Sequence, residues 1–149
     1  MRFIWKQFED FTTAELYATL KLRFDVFILE QRCFYPELDD ADQNARHLLL
    51  LEGDSMPPLA YLRVRDALDG LWIGRVVVHP DARGEKLGQK LMQKALDDLT
   101  GTNPGRPILL QAQAHLAGFY GGLGFKAISE VYDEDGIPHV DMRLESMPG

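Results

Sequence analysis

One stretch, VVVHPDARGEKLGQKLM from Val76 to Met92, restricts the fold more than any other. A β-branched run ends at His79-Pro80, and a short turn built around Arg83-Gly84 follows. Leu87, Leu91, Ala95, Leu96 and Leu99 then recur at the spacing of one helix face. The pattern predicts a strand that feeds a helix through a basic, Gly-flanked loop. The helix is expected over about Gly84 to Leu99, stopping before the breaker cluster TGTNPGRP.

The remaining segments predict an α/β (α+β) fold with a mixed sheet. Met1 to Phe8 reads as an edge strand. Thr12 and Glu15 form a capping box, and Leu16, Leu20, Phe24 and Phe27 mark a helix running to about Glu30. The acidic loop from Arg32 to Asn44 has room for one helical turn. Three strands follow, at His47–Glu52, Leu59–Asp66 and Leu71–Val78, with GDSMPP as the turn between the first two. Their spacing predicts an antiparallel meander. Beyond the second helix come a short strand at Ile108–Ala112 and a third helix over Ala114–Leu123. Two further strands, GFKAISEVYDE and IPHVDMRL, flank an Asp135-Gly136 hairpin signal. Trp5, Trp72, Phe119, Leu123 and Phe125 read as core or interface residues.

The chain has 149 residues, which suits one domain over 1–149. A net charge of −7 argues against nucleic acid as a partner, because phosphate binding needs a basic face. Cys33 is the single cysteine, so no disulfide framework or Cys-rich metal site is expected. No signal-peptide pattern or membrane-length apolar run is present, and the expected location is the cytoplasm, with no membrane partner.

The strand–loop–helix junction is an anion site in outline. A helix start carries unpaired N–H groups and the positive end of the helix dipole. Gly84 and Gly88 allow close backbone approach, and Arg83 and Lys86 add charge. An ordinary turn with solvated charges is the competing reading. The glycine spacing fits neither a Walker A loop nor a dinucleotide fingerprint.

RGEKLG, with GRVVVHP before it and FYGGLGF after it, resembles the acetyl-CoA loop of the GNAT N-acetyltransferases. That family's pattern is [R/Q]-x-x-G-x-[G/A]. Arg83 and Gly88 match its ends, and Lys86 stands where Gly is usual. The segments LRFDVFILEQRCFYPELDDAD, RHLL, QAQAHLAGFY and YDEDGIPHVDM narrow the resemblance to ElaA-like acetyltransferases, over nearly the whole chain.

The resemblance implies a mostly antiparallel sheet, flanked by helices, with a splayed cleft for acetyl-CoA as co-substrate. Val76, Val77 and Val78 would pair with its pantetheine arm, and a backbone N–H near Val78 would face the thioester carbonyl. Arg83, Gly84, Glu85, Lys86, Leu87 and Gly88 would cradle its phosphates, and Gln113 would take the place of a common Asn. Tyr120 matches the family's general acid.

The implied acceptor is an amine, on a small molecule or a peptide, bordered by Glu30, Tyr35, Asp39 and His139. His79, His115, His139, Glu30 and water are all open as the base. No metal is expected, since His47, Asp39 and Asp42 lack ligand spacing. Glu37, Asp39, Asp40 and Asp42 in one loop, with Asp133, Glu134 and Asp135 in another, read as an acidic arc that would favour a cationic amine. A non-catalytic acetyl-CoA-binding or interaction module is the alternative function, and a homodimer is an option by analogy with relatives.

Overall fold

The computed structural model describes residues 1–145; the last four residues of the chain lie outside the described part. Strand β1 (Arg2–Gln7) leads into α1 (Thr13–Phe24), capped as expected by Thr12 and Glu15 in a reciprocal pair of hydrogen bonds. The meander β2 (Arg46–Leu51), β3 (Ala60–Ala67) and β4 (Gly70–Val78) follows. Then come α2 (Leu87–Thr102), β5 (Ile108–Gln113) and α3 (Ala117–Gly121). The chain continues through β6 (Phe125–Ala127), β7 (Tyr132–Glu134) and β8 (Ile137–Leu144).

The sheet order is β1-β2-β3-β4-β5-β8-β6, with β7 also on β8. Every pairing is antiparallel except β4 with β5. Helices cover both faces of the central strands, so β2 is an unbroken leucine run rather than an alternating one. Leu48 and Leu50 enter the α2-side core, whereas Leu49 and Leu51 enter the α1-side core with Tyr61 and Val77. The expected helical face of α2 is buried throughout, at Leu87, Leu91, Ala95, Leu96 and Leu99.

Several boundaries differ from the sequence reading. After Phe24 the first helix widens into a π-type turn over Asp25–Glu30, closed by Gln31 N–H on the Val26 carbonyl at 3.1 Å. The start of α2 is Leu87, not Gly84, because Gly84 (φ +94°) and Lys86 (φ +58°) hold left-handed conformations that no helix can include. It continues to Thr102, where the Thr100 and Thr102 hydroxyls donate back to the Leu96 and Asp98 carbonyls at 2.8 Å each.

The third helix is a 3-10 turn at Ala114–Leu116 joined to α3. The long strand expected at GFKAISEVYDE is two strands, because β8 pairs with β7 through its first half and with β6 through its second. Between them Ile128 N–H reaches the Asp141 carbonyl at 2.9 Å, and Ser129 Oγ accepts the Asp141 N–H at 2.9 Å. Asp135 and Gly136 both have positive φ, as a two-residue hairpin of type I′ requires. Leu123 and Phe125 are buried as expected, but Phe119 is 39% exposed.

Candidate active site

The site begins where the sheet parts. Strands β4 and β5 pair only from Leu71↔Ile108 to Ile73↔Leu110 and then diverge. The cause lies on the other side of β4. Its register with β3 runs Arg63↔Gly74 and then Tyr61↔Val77, so Leu62 faces two residues, Arg75 and Val76. This is a β-bulge, with Arg75 at φ +52°, and a bulge bends and twists its strand. His79 N–H donates to the Leu59 carbonyl at 2.8 Å. By strand alternation Val78 and Val76 then direct their own backbone groups away from β3, into the opening. Val77 instead faces the α1-side core.

The loop beyond β4 holds the remaining cofactor candidates. Pro80–Ala82 is a 3-10 turn, and Arg83, Gly84, Glu85 and Lys86 follow it on the surface. Lys86 occupies the left-handed position just before α2, which explains why glycine is usual there in the family pattern. No side chain caps α2, so its first N–H groups are left for an anion. Leu87 is buried and contributes only its backbone to such a site. A Cβ on Gly88 would lie in ordinary contact with Val78 Cγ2 at 3.6 Å and Phe119 Cζ at 3.9 Å, so a branched side chain would add bulk between the start of α2 and the end of β4.

Arg83 and Glu30, read separately from the sequence, form one two-pronged ion pair, with Arg83 Nη2 to Glu30 Oε1 at 2.7 Å. The Arg83 hydrogen bonds hold the Glu30 carboxyl below its usual range.

A cavity of about 560 Å³ opens in the splay, and its walls include Tyr120, Gln113, His139, Tyr35, Asp39 and Val76. The Arg83–Gly88 loop, Glu30, His79 and His115 are not among its walls. Tyr120 is 8% exposed, and its hydroxyl has no hydrogen-bond partner among the described residues. Burial pushes its phenol up to about 12. The His139 Nδ1 lies 2.8 Å from the Ile137 carbonyl, an acceptor only, so Nδ1 carries the proton and Nε2 is the free lone pair of the neutral ring. Its ring stacks on Tyr132, 6.4 Å between centroids, and His139 is the register partner of Gln113. Gln113 Nε2 donates across the cleft to Gln31 Oε1 at 3.3 Å. Arg75 lies over the Tyr35 ring at 5.3 Å, and burial pushes that phenol up to about 12.

Three of the seven acids in the expected arc are neutralised by arginines of the protein. Arg23, 1% exposed, donates to both oxygens of Glu37 at 2.9 Å and to Asp42 at 2.7 and 3.2 Å. Arg63 pairs with Asp39 at 2.6 Å and with Asp42 at 3.0 Å, and Arg75 with Glu37 at 2.8 Å. Three guanidinium groups thus balance Glu37, Asp39 and Asp42, and the two Arg63 hydrogen bonds hold Asp39 well below the usual carboxylate range. The sequence reading saw these acids and missed their partners, which lie on α1, β3 and the β4 bulge. The arginines sat in plain view on segments read for their apolar residues.

His47, also buried, is part of the same cluster, with both ring nitrogens engaged. Its Nε2–H donates to the Asp42 carbonyl at 3.0 Å, and its Nδ1 accepts from Tyr61 Oη at 2.6 Å. Among the described residues no group of His, Cys, Asp and Glu could hold a metal ion, and no helix is long and apolar enough to cross a membrane.

Burial pushes the His47 imidazole below its ordinary pKa. The unfolded chain therefore takes up this proton first, and stability falls as pH drops below about 6.5 toward the folded-state value. Denaturant midpoints measured from about pH 7.5 down to about pH 5.5 should fall more steeply in the wild type than in His47→Gln. Equal slopes would remove His47 as the source.

Comparison with known proteins agrees with this architecture. The family model described as "Acetyltransferase (GNAT) domain" matches residues 10–146. Protein ElaA of Escherichia coli K12 is 44% identical over 141 residues, 91% of each chain. A UPF0039 protein of Schizosaccharomyces pombe is 40% identical over 147 residues, 97% of each. The crystal structure of E. coli ElaA superposes with a TM-score of 0.90 at 41% identity, covering 97% of this chain and 100% of that one. An acyl-CoA N-acyltransferase from Pseudomonas aeruginosa superposes with a TM-score of 0.88 at 42% identity, covering 96% and 99%. The splayed sheet, the loop before α2 and these relatives together place the chain in the GNAT acetyltransferase family, among its ElaA-like members.

Proposed function

We propose that the chain transfers an acetyl group from acetyl-CoA to a primary amine, with Tyr120 as general acid. The observation that carries this reading is the Tyr120 hydroxyl, protonated and unpaired in the wall of the cleft where β4 has free backbone groups. Bound acetyl-CoA would supply the thioester, whose C–S bond breaks as the amine nitrogen bonds to the carbonyl carbon.

The chain's own residues supply the rest. Val76 and Val78 offer backbone groups for the pantetheine arm, and the N–H of Val78 can stabilise negative charge on the carbonyl oxygen. The uncapped start of α2, with Lys86, offers donors for the pyrophosphate. Tyr120 provides a proton donor for the departing sulfur. His139, the one histidine in the cleft wall, offers Nε2 to receive the amine proton.

The test is thiol release from acetyl-CoA in the presence of a panel of primary amines. Release that depends on the amine, and that is abolished together with CoA binding in Gly88→Val, is the expected result. Tight CoA binding with no release for any amine would leave a binding module instead.

A further inference from the structure

The charges left over in the cleft are not the ones the acidic loop suggested. Of the ionic side chains in the cavity wall, Arg63, Arg75 and Asp39 belong to the balanced ion cluster. Those that remain are Arg65 on β3 and Glu134 and Asp135 on the β7–β8 hairpin. Arg65 is half-buried and makes no ion pair or side-chain hydrogen bond among the described residues. Neither acidic neighbour in sequence pairs with it. Asp66 pairs with Arg106 at 2.8 Å, and Asp69 accepts from Trp72 Nε1 at 2.8 Å.

The register shows where this cation stands. Arg65 pairs with Trp72, Trp72 with Leu109, and Leu109 with Arg143, giving one row across four strands. Partners in register share a face, so the Arg65 and Trp72 side chains leave the sheet from adjacent positions on one face, and both line the cavity. The Gln113–His139 row lies four residues further along β5, roughly 13 Å at the rise of an extended strand. One end of the cleft therefore has Tyr120, His139 and the hairpin carboxylates, and the other has an unpaired guanidinium beside an indole.

We infer that Arg65 and Trp72 form a carboxylate-binding subsite, and that the acceptor is an amine carrying a carboxylate several bonds away on an extended frame. This rests on the N-acetyltransferase reading for the fate of the amine, but not for the binding of the acid. A guanidinium matches a carboxylate with two parallel N–H donors, and a partly desolvated pair of this kind is stronger than one in open water. The Trp72 ring gives the alkyl or peptide frame an apolar surface. A simple α-amino acid is too short to place its nitrogen at the Gln113–His139 row while its carboxylate reaches Arg65.

The test uses 8-aminooctanoate, its neutral amide 8-aminooctanamide, and glycine as the short control. Binding to the whole protein is followed by NMR through the Trp72 indole N–H, with the Trp5 indole as internal reference. The acid should bind about tenfold more tightly than the amide and shift Trp72 but not Trp5, and glycine should not shift Trp72. Arg65→Gln should bring the acid-to-amide ratio to about one, and Arg65→Lys should restore part of it.

The same three amines are then compared by thiol release, where kcat/KM should follow the order acid, amide, glycine. Equal binding of acid and amide, or a preference that survives in Arg65→Gln, would overturn the subsite and mark Arg65 as a solvated arginine only. Selective binding of the acid without acetylation of any amine would uphold the subsite and count against the acetyltransferase reading.

Discussion

Tyr120→Phe is expected to lower kcat by about 10²–10⁴-fold, the usual contribution of a positioned acid, with little change in CoA affinity. The ring is fixed by packing that the variant retains. Phe119 and Phe125 meet it edge-on, at centroid distances of 5.0 and 6.2 Å. The hydroxyl makes no hydrogen bond among the described residues that its removal would break, so the fold should survive. The protonation state also suits the role, with burial holding the phenol near 12 and hence neutral at physiological pH.

A thiol titrates at roughly 8.5, so a fully formed thiolate is a weaker base than this phenolate. As general acid, Tyr120 is then expected to share its proton with sulfur while the C–S bond is breaking, before the thiolate is fully formed. The alkaline limb of the kcat profile should accordingly show no loss near pH 10 that could be assigned to ionised Tyr120. Steady-state kinetics with the best amine, beside calorimetric titration with CoA, decides the matter. A loss that appears wholly as weaker CoA binding would make Tyr120 a binding residue.

The parts of this fold that were legible in the sequence are those set by local rules. The Thr12–Glu15 capping box, the apolar face of α2 and the Asp135-Gly136 hairpin each depend on residues a few positions apart, and each is present in the structure. The strand–loop–helix junction was legible for the same reason. What stayed hidden depends on distant partners. Glu37 and Asp42 look like solvated loop acids until α1 and β3 bring Arg23 and Arg63 against them. The bulge at Arg75 has no local signature, because the left-handed residue is an arginine rather than a glycine. It is held by Glu37 at 2.8 Å and Asp39 at 3.3 Å, thirty-odd residues earlier in the chain. The same long-range pairing makes Asp39, which lines the cleft, a clamp on Arg63 and Arg75. It leaves Arg65, which carried no motif at all, as a guanidinium of the cleft wall with no ionic partner among the described residues.

The ion cluster also predicts the largest effect on stability. Arg23→Met should destabilise the protein by about 3–5 kcal/mol, the usual result of removing one partner from a buried pair. Two carboxylates lose a partner at once. Glu37 is 1% exposed and keeps only Arg75; Asp42 is 6% exposed and keeps only Arg63. Methionine fills most of the volume, so the loss is chiefly electrostatic and not a cavity. Against a typical stability of about 5–15 kcal/mol the change is large enough to leave part of the protein unfolded at physiological temperature. The electrostatic origin has its own signature. Adding Glu37→Gln to Arg23→Met removes one of the stranded charges, so the double variant should be more stable than the Arg23 variant alone, even though it carries more substitutions. Urea midpoints for the wild type, both single variants and the double variant complete the cycle. An Arg23→Met midpoint within about 1 kcal/mol of the wild type, the range of exposed pairs, would show that the cluster is solvated and does not hold α1, the acidic loop and the β4 bulge together.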